Sequence, residues 1–311
     1  MEYSIVIEGL TKSFGEFTAV DDLSIDVKRN RFVGFLGPNG AGKTTTLKIL
    51  TNLLSATSGS AYLDGIDVTR EPKKALMNVG CVVETPEFYP FFTPRETLQY
   101  LGRIRGMSKA DIDIRTKEVL EQVQMEKWAE IRMGKFSKGM KQRIAIAQAI
   151  MHDPPIILLD EPSSGLDPRG TVEMRDTLQY LKKIGYTIFM SSHMLNEVMD
   201  LCDEAAIISN GKLIRHDTLE GLINESKTRK LQIKILKNVD ETTAKKFGDI
   251  PTVSNVKISS ENTMIFDLEG GGEEMADLVD DVRSMGLRLV SLSDFGSPLE
   301  NLYMSLIKET K

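Results

Sequence analysis

The chain has 311 residues, of which 41% are hydrophobic and 27% charged, with a net charge of −6. That length suits two domains, no apolar run approaches the ~20 residues needed to span a bilayer, and the acidic balance argues against a nucleic-acid-binding surface as the main business. Two cysteines, Cys81 and Cys202, stand far apart in apolar surroundings and three histidines show no ligand spacing, so core packing in a reducing compartment is expected rather than a disulfide or a zinc site.

The N-terminus, Met1-Glu-Tyr-Ser-Ile-Val, lacks a basic segment followed by a small-residue cleavage site, so a cytoplasmic location is expected. Residues 3 to 9 and 22 to 27 alternate, with Leu23, Ile25 and Val27 apolar against Ser24, Asp26 and Lys28, the pattern of half-buried strands in an antiparallel sheet. Between them Phe14 precedes Gly15; it is either ordinary core or an aromatic face on which adenine stacks. Arg31 to Leu36 reads as a buried strand and Thr45 to Leu54 as an amphipathic helix. The stretch after the strand runs Gly37, Pro38, Asn39, Gly40, Ala41, Gly42, Lys43, Thr44, Thr45, which fits G-x-x-x-x-G-K-[ST]. Its glycines let backbone N–H groups turn inward on the β- and γ-phosphates, and the helix presents its positive end to them. Lys43 adds a mobile cation, the Thr44 hydroxyl can ligate Mg2+, and the Thr45 hydroxyl can reach the α-phosphate. A glycine-rich turn that binds nothing is the plain alternative, and Gly-Lys-Thr in register behind a hydrophobic strand argues against it.

Ser60 to Val68 is two short strands around an Asp64-Gly65 hairpin turn, a sheet expected beside the nucleotide. The apolar strand Val79 to Val83 ends at Glu84, and the stretch to Pro94 is a loop by its prolines. Its Phe88, Tyr89, Phe91 and Phe92 form either a satellite core or a docking patch for another protein. From Arg95 to Trp128 the periodicity is helical, interrupted near Gly106, and marks a helical insertion. It runs into Phe136-Ser137-Lys138-Gly139 and the apolar helix Ile144 to Met151; Ser137 is a good helix N-cap, and an N-cap with an adjacent glycine is also an anion site.

Ile156 to Leu159 leads to Asp160 and Glu161, paired carboxylates at the C-terminal end of a strand, where ligands of parallel sheets bind. Asp160 would hold Mg2+ through its water shell and Glu161 would orient and deprotonate the attacking water; the bland reading is an acidic turn. A helix then opens with Asp167 as cap and Pro168 in its first turn and closes before Gly185, and the strand Tyr186 to Ser192 ends at His193, which alone is more often structural. The alternation of helix and apolar strand since residue 31 gives an α/β fold with a doubly wound, mostly parallel sheet. Asn210-Gly211 makes another hairpin, and Leu219 to Lys230 turns polar and reads as a linker. Beyond it strands at 231–237, 252–259, 263–269 and 287–292, with helices at 240–248 and 273–285, give the β-α-β-β-α-β order of a small ferredoxin-like domain, before a last helix from Pro298.

In order and spacing these residues resemble the ATP-binding subunit of ABC transporters over roughly residues 2 to 225: Phe14, GPNGAGKTT, FSKGMKQR at the signature position, ILLDEP, SGLD and His193. The resemblance implies a P-loop NTPase core with an antiparallel β subdomain, an ATP-binding domain over 1–225 with its helical insertion at about 86–150, and an accessory domain over 230–311. It implies ATP and Mg2+ as cofactors, with Phe14 and Val20 among the nucleotide contacts and His193 sensing the γ-phosphate. It also implies a head-to-tail homodimer, or a pair with another ATPase subunit, closed by ATP, in which Ser137 and Gly139 of one copy close over ATP on the other and Asp167 couples the two sites. Lys138, Met140 and Lys141 replace the commoner Gly, Gln and Gln, a change expected to be tolerated because Ser137 and Gly139 remain.

Glu84 stands where the family usually has a glutamine contacting Mg2+ and the lytic water, and in this it resembles the bacitracin and lantibiotic self-protection branch. A carboxylate can bind the metal harder than an amide but is repelled by the γ-phosphate. In the family the segment that follows helps form the groove for a coupling helix of the membrane subunit, so Phe88 to Arg95 are the candidate permease contacts. The chain is therefore expected to be an ATPase that drives a separate membrane permease, exporting a drug, peptide or lipid-like compound, peripheral on the inner face of the membrane and with no nucleic acid partner. A soluble ATP-switched clamp shares the motifs; against it stand one nucleotide domain, no long coiled-coil insertion and the acidic charge. A regulator without turnover is disfavoured by the intact Glu161.

Overall fold

Strands β1 (Tyr3–Phe14) and β2 (Phe17–Lys28) form a long antiparallel hairpin at the start of the chain, in a computed structural model that describes residues 2–225, 228–296 and 302–303. Leu23, Ile25 and Val27 are buried and the residues between them exposed, as the alternation requires. The hairpin outruns the stretches of alternation at 3–9 and 22–27. Its ladder passes through register shifts and continues to Ser13 opposite Thr18 and Phe14 opposite Phe17, beyond the last buried side chains, where no hydrophobic pattern marks a strand.

In chain order there follow β3 (Phe32–Leu36), α1 (Lys43–Leu50), β4 (Ser58–Leu63), β5 (Ile66–Asp67), α2 (Pro72–Ala75), β6 (Val79–Val82), α3 (Pro94–Ile104) and α4 (Lys109–Gln122). After the insertion come α5 (Lys138–Ala149), β7 (Ile156–Asp160), α6 (Pro168–Lys183), β8 (Thr187–Ser192), α7 (Leu195–Leu201), β9 (Glu204–Ser209) and β10 (Lys212–Thr218). The hairpin joins β4 and β5 in one sheet of order β2-β1-β4-β5. A second sheet has the order β10-β9-β3-β8-β7-β6, and its pairings between β9 and β6 are parallel.

Every residue of β3, and Ile156 to Leu159 of β7, is buried, as expected for strands covered on both faces. One core cluster joins the two sheets through Ile7, Leu23, Val33, Phe35, Leu158 and Phe189, among others, with the rings of Phe35 and Phe189 5.2 Å apart. α1 contributes Leu47, Ile49 and Leu50 to that core, which fixes the phosphate-loop helix to both sheets. Each fully buried Leu or Ile contributes about 1.5–3 kcal/mol.

The chain divides at Asp217/Thr218 into two units. The second begins with α8 (Leu219–Glu225) and continues as β11 (Thr228–Ile235), α9 (Glu241–Gly248), β12 (Val253–Ser260), β13 (Thr263–Glu269), α10 (Gly272–Ser284) and β14 (Leu289–Asp294). Its sheet order, β12-β13-β11-β14, with antiparallel pairings throughout, is the ferredoxin-like arrangement. Its core is separate, built on Leu231, Ile233, Phe247, Phe266 and Leu278.

Two expectations are corrected. The polar stretch read as a linker is instead a helix to Glu225 and a strand from Thr228, because Leu219 and the buried Leu222 supply an apolar side that polar composition concealed. Cys202 is buried, but Cys81 is exposed; it lies on β6, an edge strand with a neighbour on one side only. The helix expected from Pro298 lies outside the described residues except for Leu302 and Tyr303, which are helical. No helix among the described residues is long and apolar enough to cross a membrane.

Candidate nucleotide site

The site forms where β3, β7 and β8 end side by side. Leu36 ends β3, and Gly37 donates its N–H to the Ser192 carbonyl at the end of β8 (3.2 Å). Gly42 precedes α1 in a left-handed conformation (φ 102°), and a Cβ there would lie 2.4 Å from the Ala19 carbonyl oxygen, so the residue must be glycine. Val20 is fully buried behind Gly42, supporting the loop from the hairpin side.

Lys43 is buried, and its ammonium donates to the carbonyls of Gly37 (2.8 Å) and Pro38 (3.1 Å) while its Nζ lies 3.4 Å from Glu161 Oε1. The other oxygen of Glu161 lies 3.1 Å from His193 Nδ1. A cation, a carboxylate and an imidazole from three separate elements therefore meet in one chain of contacts. Glu161 itself has a positive φ of 45°, uncommon for a glutamate, and its N–H is held by Ser191 through both the carbonyl (3.2 Å) and the hydroxyl (3.0 Å). His193 follows a turn fixed by Ser192, whose hydroxyl donates to the buried Glu197 (2.6 Å) and accepts from the Met194 N–H (3.0 Å).

Beside this chain, Asp160 Oδ1 accepts from Ser191 Oγ (2.5 Å) and from Thr44 Oγ1 (3.2 Å). A hydroxyl and a carboxylate oxygen this close together suit a small hard cation that the Thr44 hydroxyl would ligate and the Asp160 carboxylate would hold through its water shell. Thr45 is half-buried on the first turn of α1, and Asn39 and Gly40 are exposed at the tip of the loop. Phe14 is 49% exposed at the end of the first hairpin, with the Lys12 ammonium 4.9 Å from its ring centroid.

A second cluster forms where α5 and α6 begin. Ser137 caps α5 by accepting the Met140 N–H (3.2 Å), Asp167 caps α6 by accepting the Gly170 N–H (2.9 Å), and Gly139 lies against Gly170. Lys138 Nζ donates to the Ser164 carbonyl (2.7 Å), tying the signature turn to the turn before α6. Below the caps, the Arg143 side chain is 7% exposed and pairs with Glu173 at 2.7 Å; burial lowers its pKa and the Glu173 carboxylate opposes that.

Glu84 follows β6 with φ 70°, and its carboxylate pairs with Lys48 of α1 at 2.5 Å. In the loop beyond, the rings of Tyr89, Phe91 and Phe92 lie 5.1–5.7 Å apart in edge and tilted contacts, Phe92 also meeting Tyr100. Tyr89 and Phe91 are 62% and 58% exposed, whereas Phe88 and Phe92 are half-buried. Arg95 is engaged by Glu130 at 2.5 Å. Phe88, Thr85 and Glu87 face Lys138, Lys141 and Gln142 across a cleft of about 370 Å³. Sequence reading missed Ser191 and Lys48; the signals were a serine pair closing an otherwise apolar strand and a cation four residues after Thr44.

The ABC transporter family matches residues 20–164. The chain is 32% identical over its whole length to the uncharacterized ABC transporter ATP-binding protein YhcH of Bacillus subtilis, covering 98% of that protein. It is 45% identical to the bacitracin transport ATP-binding protein BcrA of Bacillus licheniformis over 66% of each chain. Among solved structures, a dimeric ATP-binding cassette in a post-hydrolysis state with ADP and Pi superposes with a TM-score of 0.61 at 26% identity, over 69% of this chain and 98% of that one.

Proposed function

The chain belongs to the ABC transporter family as an ATP-binding, ATP-hydrolysing subunit that powers a separate permease, and we propose that the two clusters around its phosphate loop are the two halves of a composite site shared between copies. Residues 1–217 carry the nucleotide chemistry, and the unit that begins at Thr218 is an accessory domain. The carrying observation is the contact chain Lys43–Glu161–His193 beside the Thr44–Asp160 pair.

In this reading Lys43, released from the Gly37 and Pro38 carbonyls, binds the β- and γ-phosphates while the loop N–H groups surround them. Phe14 stacks on the base. Thr44, with Asp160 through the metal's water shell and Glu84 beside them, would hold Mg2+, which would supply charge neutralisation at the phosphates. Glu161 orients the attacking water and takes its proton, and His193, already against Glu161, meets the γ-phosphate oxygen. Ser137 and Gly139 of a second copy cover the γ-phosphate, with the N-terminus of α5 aimed at its charge, and Asp167 lines the same junction. Nucleotide thus closes the dimer and hydrolysis reopens it.

The exposed rings of Tyr89 and Phe91, with Phe88, Phe92 and Arg95, form the docking surface for the permease, which holds the chain at the inner face of the membrane. The cargo in this reading is an exported drug, peptide or lipid-like compound, and the likeness to a bacitracin transport protein supports an antibiotic among these. Affinity purification from the protein's own cells in mild detergent tests the assignment: a multi-span membrane protein is expected in stoichiometric yield, lost with Arg95→Glu but kept with Glu161→Gln, which abolishes turnover. Purely soluble partners, with the chain absent from the membrane fraction, would overturn it in favour of an ATP-switched clamp.

A further inference from the structure

We infer that Lys48 is a positioning residue for Glu84, competing for its carboxylate with the metal ion that accompanies the nucleotide. The inference rests on the proposed role of Glu84 at the metal. Lys48 falls four residues after Thr44 on α1, so the two side chains share a helix face. On that helix Leu47, Ile49 and Leu50 are buried, and Lys48 is the basic residue of the last turn, one third exposed and paired with Glu84 at 2.5 Å. β6 and β7 run parallel with Val82 beside Leu159. Glu84, two residues past Val82, and Asp160, directly after Leu159, thus leave the sheet from neighbouring points. The Glu84 carboxylate is consequently claimed from two directions: by an ammonium one helical turn beyond Thr44, and by the cation that Thr44 and Asp160 would share.

The backbone at Glu84 adds to the argument. A φ of 70° is costly for a glutamate and persists only where the surroundings over-determine it. The Lys48 contact is a tether on this residue, and Glu84 opens the loop that carries the Phe88–Phe92 rings. Transfer of the carboxylate from Lys48 to the metal would release that tether when the metal–nucleotide arrives. Because the Glu84 side chain is 63% exposed, the pair is weak, and a two- to fivefold shift in metal dependence is the expected scale, about the range measured for exposed ion pairs.

The test uses the full chain with Glu161→Gln to prevent turnover, and follows binding of a fluorescent ATP analogue as Mg2+ is added. Lys48→Met should lower the Mg2+ concentration for half-saturation about two- to fivefold. Lys48→Arg should keep the original value, and Lys48→Met should shift nothing when Glu84→Gln is already present. An unchanged or raised half-saturation, or an equal shift with Glu84→Gln present, overturns the inference. If Glu84→Gln alone leaves the Mg2+ dependence untouched, the role of Glu84 falls and the inference with it; if Glu84→Gln moves it and Lys48→Met does not, only the inference falls. Should Lys48→Met fail to fold, Lys48→Gln, polar and of similar length, carries the same test.

Discussion

Replacing Glu173 by Gln should destabilise the nucleotide-binding unit more than a surface charge change would, because it strands a buried cation. Arg143 projects from α5 with 7% of its side chain exposed, meets the carbonyls of Val123 and Gln124 only at 3.5 Å, and finds its counter-charge in Glu173 of α6 at 2.7 Å. Breaking a buried pair by removing one partner costs about 3–5 kcal/mol. Glu173 is 29% exposed and is shared with the exposed Arg169, so the cost falls at or somewhat below that range, about 2–3 kcal/mol. Arg143→Met removes the charge itself and should cost less, and the double variant less than the sum. The coupling should be about 1–2 kcal/mol.

Urea unfolding followed by tryptophan fluorescence measures this cleanly. The single tryptophan, Trp128, lies in the first unit with its ring 6.3 Å from Phe136, so the signal reports that unit alone. With a slope of about 2–3 kcal/mol per molar urea, Glu173→Gln should lower the midpoint by ~1 M. If the two single substitutions add to within about 0.5 kcal/mol, the pair does not join α5 to α6 and the reasoning is wrong.

Three further outcomes are expected. His152 has both ring nitrogens buried, and burial, with Arg105 adding to it, lowers its pKa from 6.5 to about 4; the Val79 backbone and Asp153 oppose the shift and Arg115 adds to it. Its neutral form is the folded one, so stability relative to His152→Leu should hold above pH 6.5 and fall as pH drops toward 4, by at most about 3 kcal/mol; parallel pH profiles for the two proteins would refute this. Gly42→Ala should reduce binding of a fluorescent ATP analogue by about tenfold or more, since its Cβ would meet the Ala19 carbonyl at 2.4 Å and distort the loop. Titration with a thiol reagent should modify Cys81, whose surface is accessible, in the native protein, slowly because packing around its sulfur raises the thiol pKa despite Arg105 nearby, and Cys202 only after denaturation; equal rates would contradict the burial pattern.

Much of the site could be read before the fold, because the phosphate loop, the paired carboxylates and the two helix caps are chemistries tied to residue type at fixed spacing. Gly42, Asp160, Ser137 and Asp167 all fall where their motifs imply. The ferredoxin-like order of the tail was likewise legible from alternating strands and turn residues. What stayed hidden depends on residues brought together by parallel pairing. Nothing in the spacing of Asp160 and Ser191 announces a 2.5 Å hydrogen bond, since it arises only when β7 and β8 align. The positive φ of Glu84 and Glu161 was hidden for another reason, because a glutamate carries no signature for the left-handed region, as glycine or asparagine does.

The exposed ring at the tip of the first hairpin has a consequence for fuel choice. Stacking uses the π-face that every nucleobase possesses, and is therefore tolerant of the base that stacks. In the proposed stacking role Phe14, at the end of the ladder and about half exposed, would offer adenine and guanine the same surface. A subunit that stacked its base in this way would take its energy from whichever purine triphosphate is most abundant, so that a preference for ATP would reflect the composition of the cell more than the shape of the pocket.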